Sequence, residues 1–527
     1  MILNKFNYKK INKIFYIIFL STFSFFINQY YGYVGINPLD NFFSFNAAYD
    51  IINGYYPFKD YWTITGPSIA FFQSILFKIF GISWSVYILQ ASIFNVIITL
   101  GTFFIFYKLK LEPHYCFIYA FLLSIISYPS VGTPYVDHQA AYLSIIGIYF
   151  FILAIKINSI FYWFFLPTIL GIAFLTKQVP SAYFILLIGF LIFIYFIFNF
   201  EIKRIIYFLL GIISVIFLFF ILLFIAKIPF LSFLQQYILY PLSIGESRME
   251  FLFPLEFKRI VLRHKLIYLS LLVILFINIK GIIHSYKYFK TDEFLITLSL
   301  IISALILITH QLMTMNGLFI FFIIPILAGF SHIYYKEYFK NKKYILYLLI
   351  FLSIGSTIHY WNKYIVQRDF LDLKDVNIEK AIDAKVLSDK LRGLKWITIQ
   401  YKEDPQNEIT KLEEVINIIK KDKRNKTLVT DYQFISVILS MYDYSPNAYW
   451  FKYHVYPEKG HKYFKIYKDF FINRLKENKI EIVYTIKPLW GDNDVLKNVL
   501  NDNCFKKNKI NDILDSHTLL NCDQLKN

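Results

Sequence analysis

The residues of this chain that could do chemistry stand beside long apolar runs. Asp40, Asp50 and Asp60 fall within residues 35–85, between the first two membrane-length apolar stretches. Asp137 and His138 follow Gly132-Thr133-Pro134, Lys177 ends an apolar run, and Arg248 closes the polar, aromatic stretch QQYILYPLSIGESR with Tyr237 inside it. His310 and Asn316 mark a further polar turn. A carboxylate near an apolar boundary can act as a general base toward a hydroxyl. Cations in a low-dielectric setting stabilise the charge of a departing phosphate. One acid plus cations is therefore the inventory for displacing a phosphate leaving group with an alcohol.

The elements that must position these groups are legible from punctuation. Asn37-Pro38 opens a helix that should end at Gly54, because Pro suits a first turn and Gly the residue past the last. Phe42, Phe45, Tyr49 and Ile52 recur at helical spacing beside a polar face. A second helix runs from Gly66-Pro67 to Gly81; about 14 residues span roughly 21 Å, too short for a hydrocarbon core of about 30 Å. Two helices lying on the membrane surface, with YYPFKDYW between them, are expected here. Tyr56, Tyr61 and Trp62 would flank Asp60.

The 527 residues are 57% hydrophobic and 20% aromatic, a make-up that excludes a soluble domain of this size. Spans are expected near 12–34, 85–107, 115–130, 139–155, 160–176, 180–199, 204–226, 265–280, 293–311, 317–335 and 344–362. The fold class is thus an α-helical polytopic membrane protein of about eleven transmembrane helices over residues 1–362. Residues 363–527, where charged helical and strand patterns alternate, form a C-terminal α/β domain. The formal charge of +18 does not indicate nucleic acid. About sixteen of the 54 Lys and Arg lie in connections assigned to the cytoplasm, and about twenty-nine lie beyond residue 362 among about twenty-four acids. The N-terminus is then cytoplasmic and the C-terminal domain periplasmic or extracellular, with the plasma (inner) membrane between. Lys258, Arg259, Arg263 and Lys265 sit awkwardly on the outer side of that scheme, unless they meet anionic headgroups. Cys504 and Cys522 fall in the outer domain, where a disulfide is permitted.

The order of motifs carries a resemblance. PLDNFFSFNAAYDIINGYYPFKDYW follows the first span; TGPSIAFFQSILFKIFG, the short acidic loop YPSVGTPYVDHQAAY and a span ending GIAFLTKQV come after it. Together they resemble the GT-C superfamily of membrane glycosyltransferases, over roughly residues 10–335. The nearest groups are the protein O-mannosyltransferases, the lipid A aminoarabinose transferases and the rhizobial lipopolysaccharide galacturonosyltransferases. Many members carry two adjacent acids in the first loop, whereas Asp40 here precedes Asn41. The resemblance implies inverting transfer of a sugar from a polyprenyl-phosphate donor to a cell-envelope acceptor, with Asp40 as base. Asp60, Asp137, His138, Lys177, Tyr237, Arg248 and His310 would bind substrate. No metal ligand set is expected, although a divalent cation is compatible with the chemistry.

Each residue has a plainer role. Asp40 at the third helical position can cap its helix, Asp60 can pair with Lys59, and Asp50 is expected to be solvated. Asp137 can cap the fourth span, His138 is more often a satisfied boundary histidine, and Lys177 can snorkel to the interface. A lipid-linked oligosaccharide polymerase or ligase, a flippase-type transporter and a non-catalytic scaffold are the other function classes. The absence of charge at mid-span and of internal repeats weighs against ion-coupled transport.

Overall fold

The computed structural model describes residues 2–157, 159–253, 256–314, 319–339, 342–451, 455–489, 495–522 and 525. The helices in chain order are α1 (Ile2–Tyr31), α2 (Pro38–Ile52), α3 (Ser68–Phe80), α4 (Trp84–Lys108), α5 (Pro113–Ile126), α6 (Val136–Lys156), α7 (Ile160–Thr176), α8 (Gln178–Phe198) and α9 (Ile202–Ala226). Short turns α10 (Phe230–Phe233), α11 (Tyr240–Ser243) and α12 (Gly245–Met249) follow, with a π-helical turn at Leu234–Leu239. Then come α13 (Arg263–His284), α14 (Asp292–Thr314), α15 (Ile323–Tyr338) and α16 (Lys343–Trp361). The remainder alternates: β1 (Ile382–Asp383), β2 (Lys395–Trp396), α17 (Pro405–Lys421), β3 (Lys426–Thr430), α18 (Phe434–Ile438), α19 (Phe464–Glu477), β4 (Ile482–Ile486), α20 (Val495–Val499), β5 (Phe505–Lys509) and β6 (Leu514–Leu519).

Among the described residues, eight helices are long and apolar enough to cross a membrane, which is the make-up of a helical membrane protein. The expected spans at 115–130, 160–176 and 317–335 correspond to shorter apolar helices, Pro113–Ile126, Ile160–Thr176 and Ile320–Lys336. At 14 residues α5 measures about 21 Å, less than a hydrocarbon core of about 30 Å.

The chain divides into two compact units that are discontinuous in sequence. The first comprises Met1–Tyr31, Ala91–Phe219 and Ser247–Phe370; the second comprises Gly32–Gln90, Phe220–Glu246 and Leu371–Asn527. The expected division at residue 362 is therefore crossed: residues 35–84 group with the C-terminal segment. In the first unit α6 packs on α7 and α8, α14 on α8, and α15 on α13 and α5. Most of the apolar window of α6 is buried (83%) and little of that of α9 (11%), so α6 is the central helix and α9 lies at the edge.

In the second unit a four-stranded sheet runs in the order β3-β4-β6-β5. β3 and β4 are parallel, and the other pairs are antiparallel. The parallel pair needs a crossover, which the chain supplies through α18 and α19. A Cys504–Cys522 disulfide closes the open end of the β5–β6 hairpin, where Phe505 pairs with Leu519.

The sequence expectation fails for α2. Phe42 and Phe45 are fully buried, packed in one core with Trp84, Trp396, Leu412 and Phe434. Asn41, Ser44, Asn46 and Asp50 on the polar side are buried too. The helix is not a surface element, because residues 434–449 cover that second side: Phe43 meets Tyr449 edge-on at 4.9 Å, and Ser436 Oγ donates to Asn46 Oδ1 at 2.5 Å. Helix α3 does keep an exposed apolar edge of Ile75, Ile79 and Phe80.

Candidate functional site

In the first unit three of the sequence-selected residues meet. Asp137 stands in the first turn of α6. Lys177 lies in a break: α7 ends at Thr176, Lys177 is extended (φ −156°, ψ 136°), and Val179, held out of the helical region before Pro180, is extended as well. This frees the Lys177 side chain to reach Asp137, with Nζ 2.6 Å from Oδ1. His310, one turn from the end of α14, places Nε2 2.7 Å from the same oxygen. Asp137 and His310 are buried, and Lys177 is largely so. Lys177 is thus neither a snorkelling residue nor an isolated cation, and Asp137 directs its side chain to these partners rather than capping α6.

A carboxylate so far from water is tolerated only with such partners. Arg248, half-buried in α12, is close enough for its charge to act on His310, and Arg259 donates Nη2 to the Leu312 carbonyl at 3.1 Å. Asp137 is thus met by Lys177 and His310, and Arg248 adds a positive charge on the His310 side. His138 is buried, packed on Tyr135, Tyr142 and Phe319, and its Nδ1 has no hydrogen-bond partner among the described residues. His310 Nδ1 is likewise unpartnered. Asn316 lies outside the described residues.

In the second unit the first-loop acids separate in role. Asp40 is half-buried near the start of α2. Its Oδ2 accepts from Asn37 Nδ2 at 3.4 Å, while the Asn37 backbone N–H goes to Asn41 Oδ1 at 2.8 Å. The cap on that backbone group belongs to Asn41. Asp40, Phe43 and Ala47 share one helical face, and the latter two line a small cavity completed by Pro57, Tyr61, Thr63 and Gly66.

Asp60 is buried; its Oδ2 accepts from the Tyr56 backbone at 2.8 Å and stands 3.6 Å from Lys59 Nζ. Arg474 Nη1 on α19 lies 3.4 Å from its other oxygen. Asp50 is not solvated as expected but buried, for the same reason that α2 is: residues of the C-terminal segment cover it. Burial first, then the charges of Asp443 and Asp60, push its carboxyl well above the usual range.

The turn bearing Asp60 is built from a distance. Phe58 holds φ +69°, a region that costs a non-glycine residue. Gln236, in the π-helical turn, accepts from Thr63 N at 3.1 Å and donates to the Phe58 carbonyl at 2.9 Å. Tyr237 packs its buried ring on Phe58 and Phe233.

Gln236, Asp443 and Arg474 escaped sequence selection because nothing local marks them. A Ser243–His461 contact (3.1 Å) is not a nucleophile–base pair: His461 Nδ1 accepts from Tyr463 N, so Nε2 carries the proton and donates to the serine. Among the described residues no three His, Cys, Asp or Glu side chains are arranged to hold a metal ion. No protein-family model matches the chain, and no curated protein matches it.

Proposed function

We propose that the protein transfers a sugar from a polyprenyl-phosphate carrier to a cell-envelope acceptor at the outer face of the plasma membrane, as a glycosyltransferase of the GT-C kind. The acceptor O–H gives its proton to Asp40 and its oxygen attacks the anomeric carbon. The carbon–oxygen bond to the phosphate breaks, with inversion, and the phosphate leaves with the electron pair. As separate candidates, the donor's phosphate is assigned to Lys177 and Arg248 of the first unit and the base role to Asp40 of the second. The observation that supports this assignment is the buried Asp137–Lys177–His310 cluster with the Arg248 charge beside His310, a setting that suits an anion carried on a lipid.

The cluster also bears on the transport alternative. Asp137 and Lys177 stand at helix ends and His310 within the last turn or so of α14. A coupling-ion path would need ionisable groups midway along spans, so the cluster does not mark ion-coupled transport. A photoreactive polyprenyl phosphate tests the assignment. It should label the wild type, and Lys177→Gln with Arg248→Gln should abolish labelling; equal labelling of the double variant would overturn the phosphate role.

A further inference from the structure

The second unit buries more carboxylate than it neutralises. Asp50 is 5% exposed and Asp443 3% exposed, and neither has an ion pair among the described residues. Arg474 is paired with Asp60 at 3.4 Å and with Glu477 at 2.9 Å. Lys59 is on Asp60 as well. Asp50 accepts one bond from Asn46 Nδ2 at 3.1 Å, and its other oxygen has no partner among the described residues. Asp443 is met by the backbone N–H of Ser445 at 3.1 Å.

These acids come from segments nearly four hundred residues apart, brought together by contacts on both sides. Tyr55 stacks on Tyr442, and Ser436 bonds Asn46. The other titratable groups facing the pair are tyrosines: Tyr49 beside both acids, Tyr61 beside Asp50 and Asp60, and Tyr442 beside all three. None supplies a positive charge. An independent sign is the Tyr61 hydroxyl, which is on a side chain 4% exposed and has no hydrogen-bond partner among the described residues. It offers a donor or acceptor to whatever neutralises the acids. Two bare carboxylates cannot be buried together at this density without a counter-charge. A metal ion would serve, but three protein acids are not arranged to hold one among the described residues. A proton needs no such cage.

We propose that Asp50 and Asp443 hold at least one proton between them, so that the contact of α2 with the 440–445 loop is a proton-operated latch. Loss of the proton leaves two like charges facing each other and drives the segments apart. Ser440 and Tyr444, which flank Asp443, both hold positive φ (51° and 50°), so the loop is one that relaxes when released. The direction of titration agrees. Burial raises the Asp443 carboxyl to about 6, and burial with its acidic neighbours raises Asp50 well above its ordinary value. Because the folded state binds these protons more tightly, the stabilisation is full below the ordinary carboxyl value of about 4. It is lost as pH rises through about 6 and beyond.

The test is the melting temperature of the full-length detergent-solubilised protein between pH 5 and pH 8. The wild type should lose stability across this range, and Asp443→Asn or Asp50→Asn should flatten the profile and melt higher than wild type at pH 8. Wild-type slopes in both variants would overturn the latch. So would a rise at pH 8 on adding calcium or magnesium to wild type but not to the variants, which would make the site a cation site. Should the variants fail to fold, the infrared band of a protonated carboxyl in the wild type decides. Its disappearance between pH 5 and pH 8 supports the latch, and its absence at pH 5 overturns it.

Discussion

Lys177 Nζ stands 2.6 Å from Asp137 Oδ1, a bond across forty residues made possible by the helix break before Pro180. Breaking a buried pair by removing one partner costs about 3–5 kcal/mol, whereas replacing both with apolar groups is often neutral. Lys177→Met should therefore lower the melting temperature markedly, and Lys177→Met with Asp137→Leu should recover most of it without recovering transfer. A double variant as unstable as the single one would show that the pair is not the source of the loss.

Gln236 holds two backbone groups of the Asp60 turn. Gln236→Leu leaves the Thr63 N–H and the Phe58 carbonyl buried without that partner, at about 1–3 kcal/mol each. Limited proteolysis should then cut between residues 55 and 66, where the wild type resists. Unchanged protection would mean that packing of Phe58 alone sets the turn.

Arg474 is the counter-charge of Asp60 on the α19 side. Arg474→Met should destabilise the protein by about 3–5 kcal/mol, as for other broken buried pairs. Glu477→Gln, at the solvent-facing end of the same arginine, should change stability by less than about 1 kcal/mol. Thermal unfolding of the two variants side by side measures the difference.

The Cys504–Cys522 disulfide spans 18 residues, a loop whose closure is worth about 3 kcal/mol in the chain-entropy model. Cys504→Ser with Cys522→Ser should lower stability by about that amount, and reductant should do the same to the wild type. A reductant-insensitive melting curve would count against the bridge.

Helix bounds were legible because single residues decide them: Pro38 and Gly54 bracket α2, and Pro67 and Gly81 bracket α3, each to within two residues. The burial of Asp50 was not legible. Periodicity shows which face of α2 is apolar, but not that Phe434 and Tyr449 arrive to cover what lies around it. Likewise LTKQVP shows a break and VDHQ a helix start, yet only tertiary packing brings Lys177, Asp137 and His310 to one oxygen. The three candidates were separable as residue types, and their pairing was not.

The proposed transfer assigns the base to Asp40, which is half-buried near the start of α2. The decisive measurement is sugar transfer from a labelled polyprenyl-phosphate donor to envelope acceptor by purified wild type and Asp40→Asn, with melting temperatures taken on the same samples. Transfer by wild type and its loss in an Asp40→Asn protein that melts normally is the predicted result. Transfer at the wild-type rate by Asp40→Asn would contradict it.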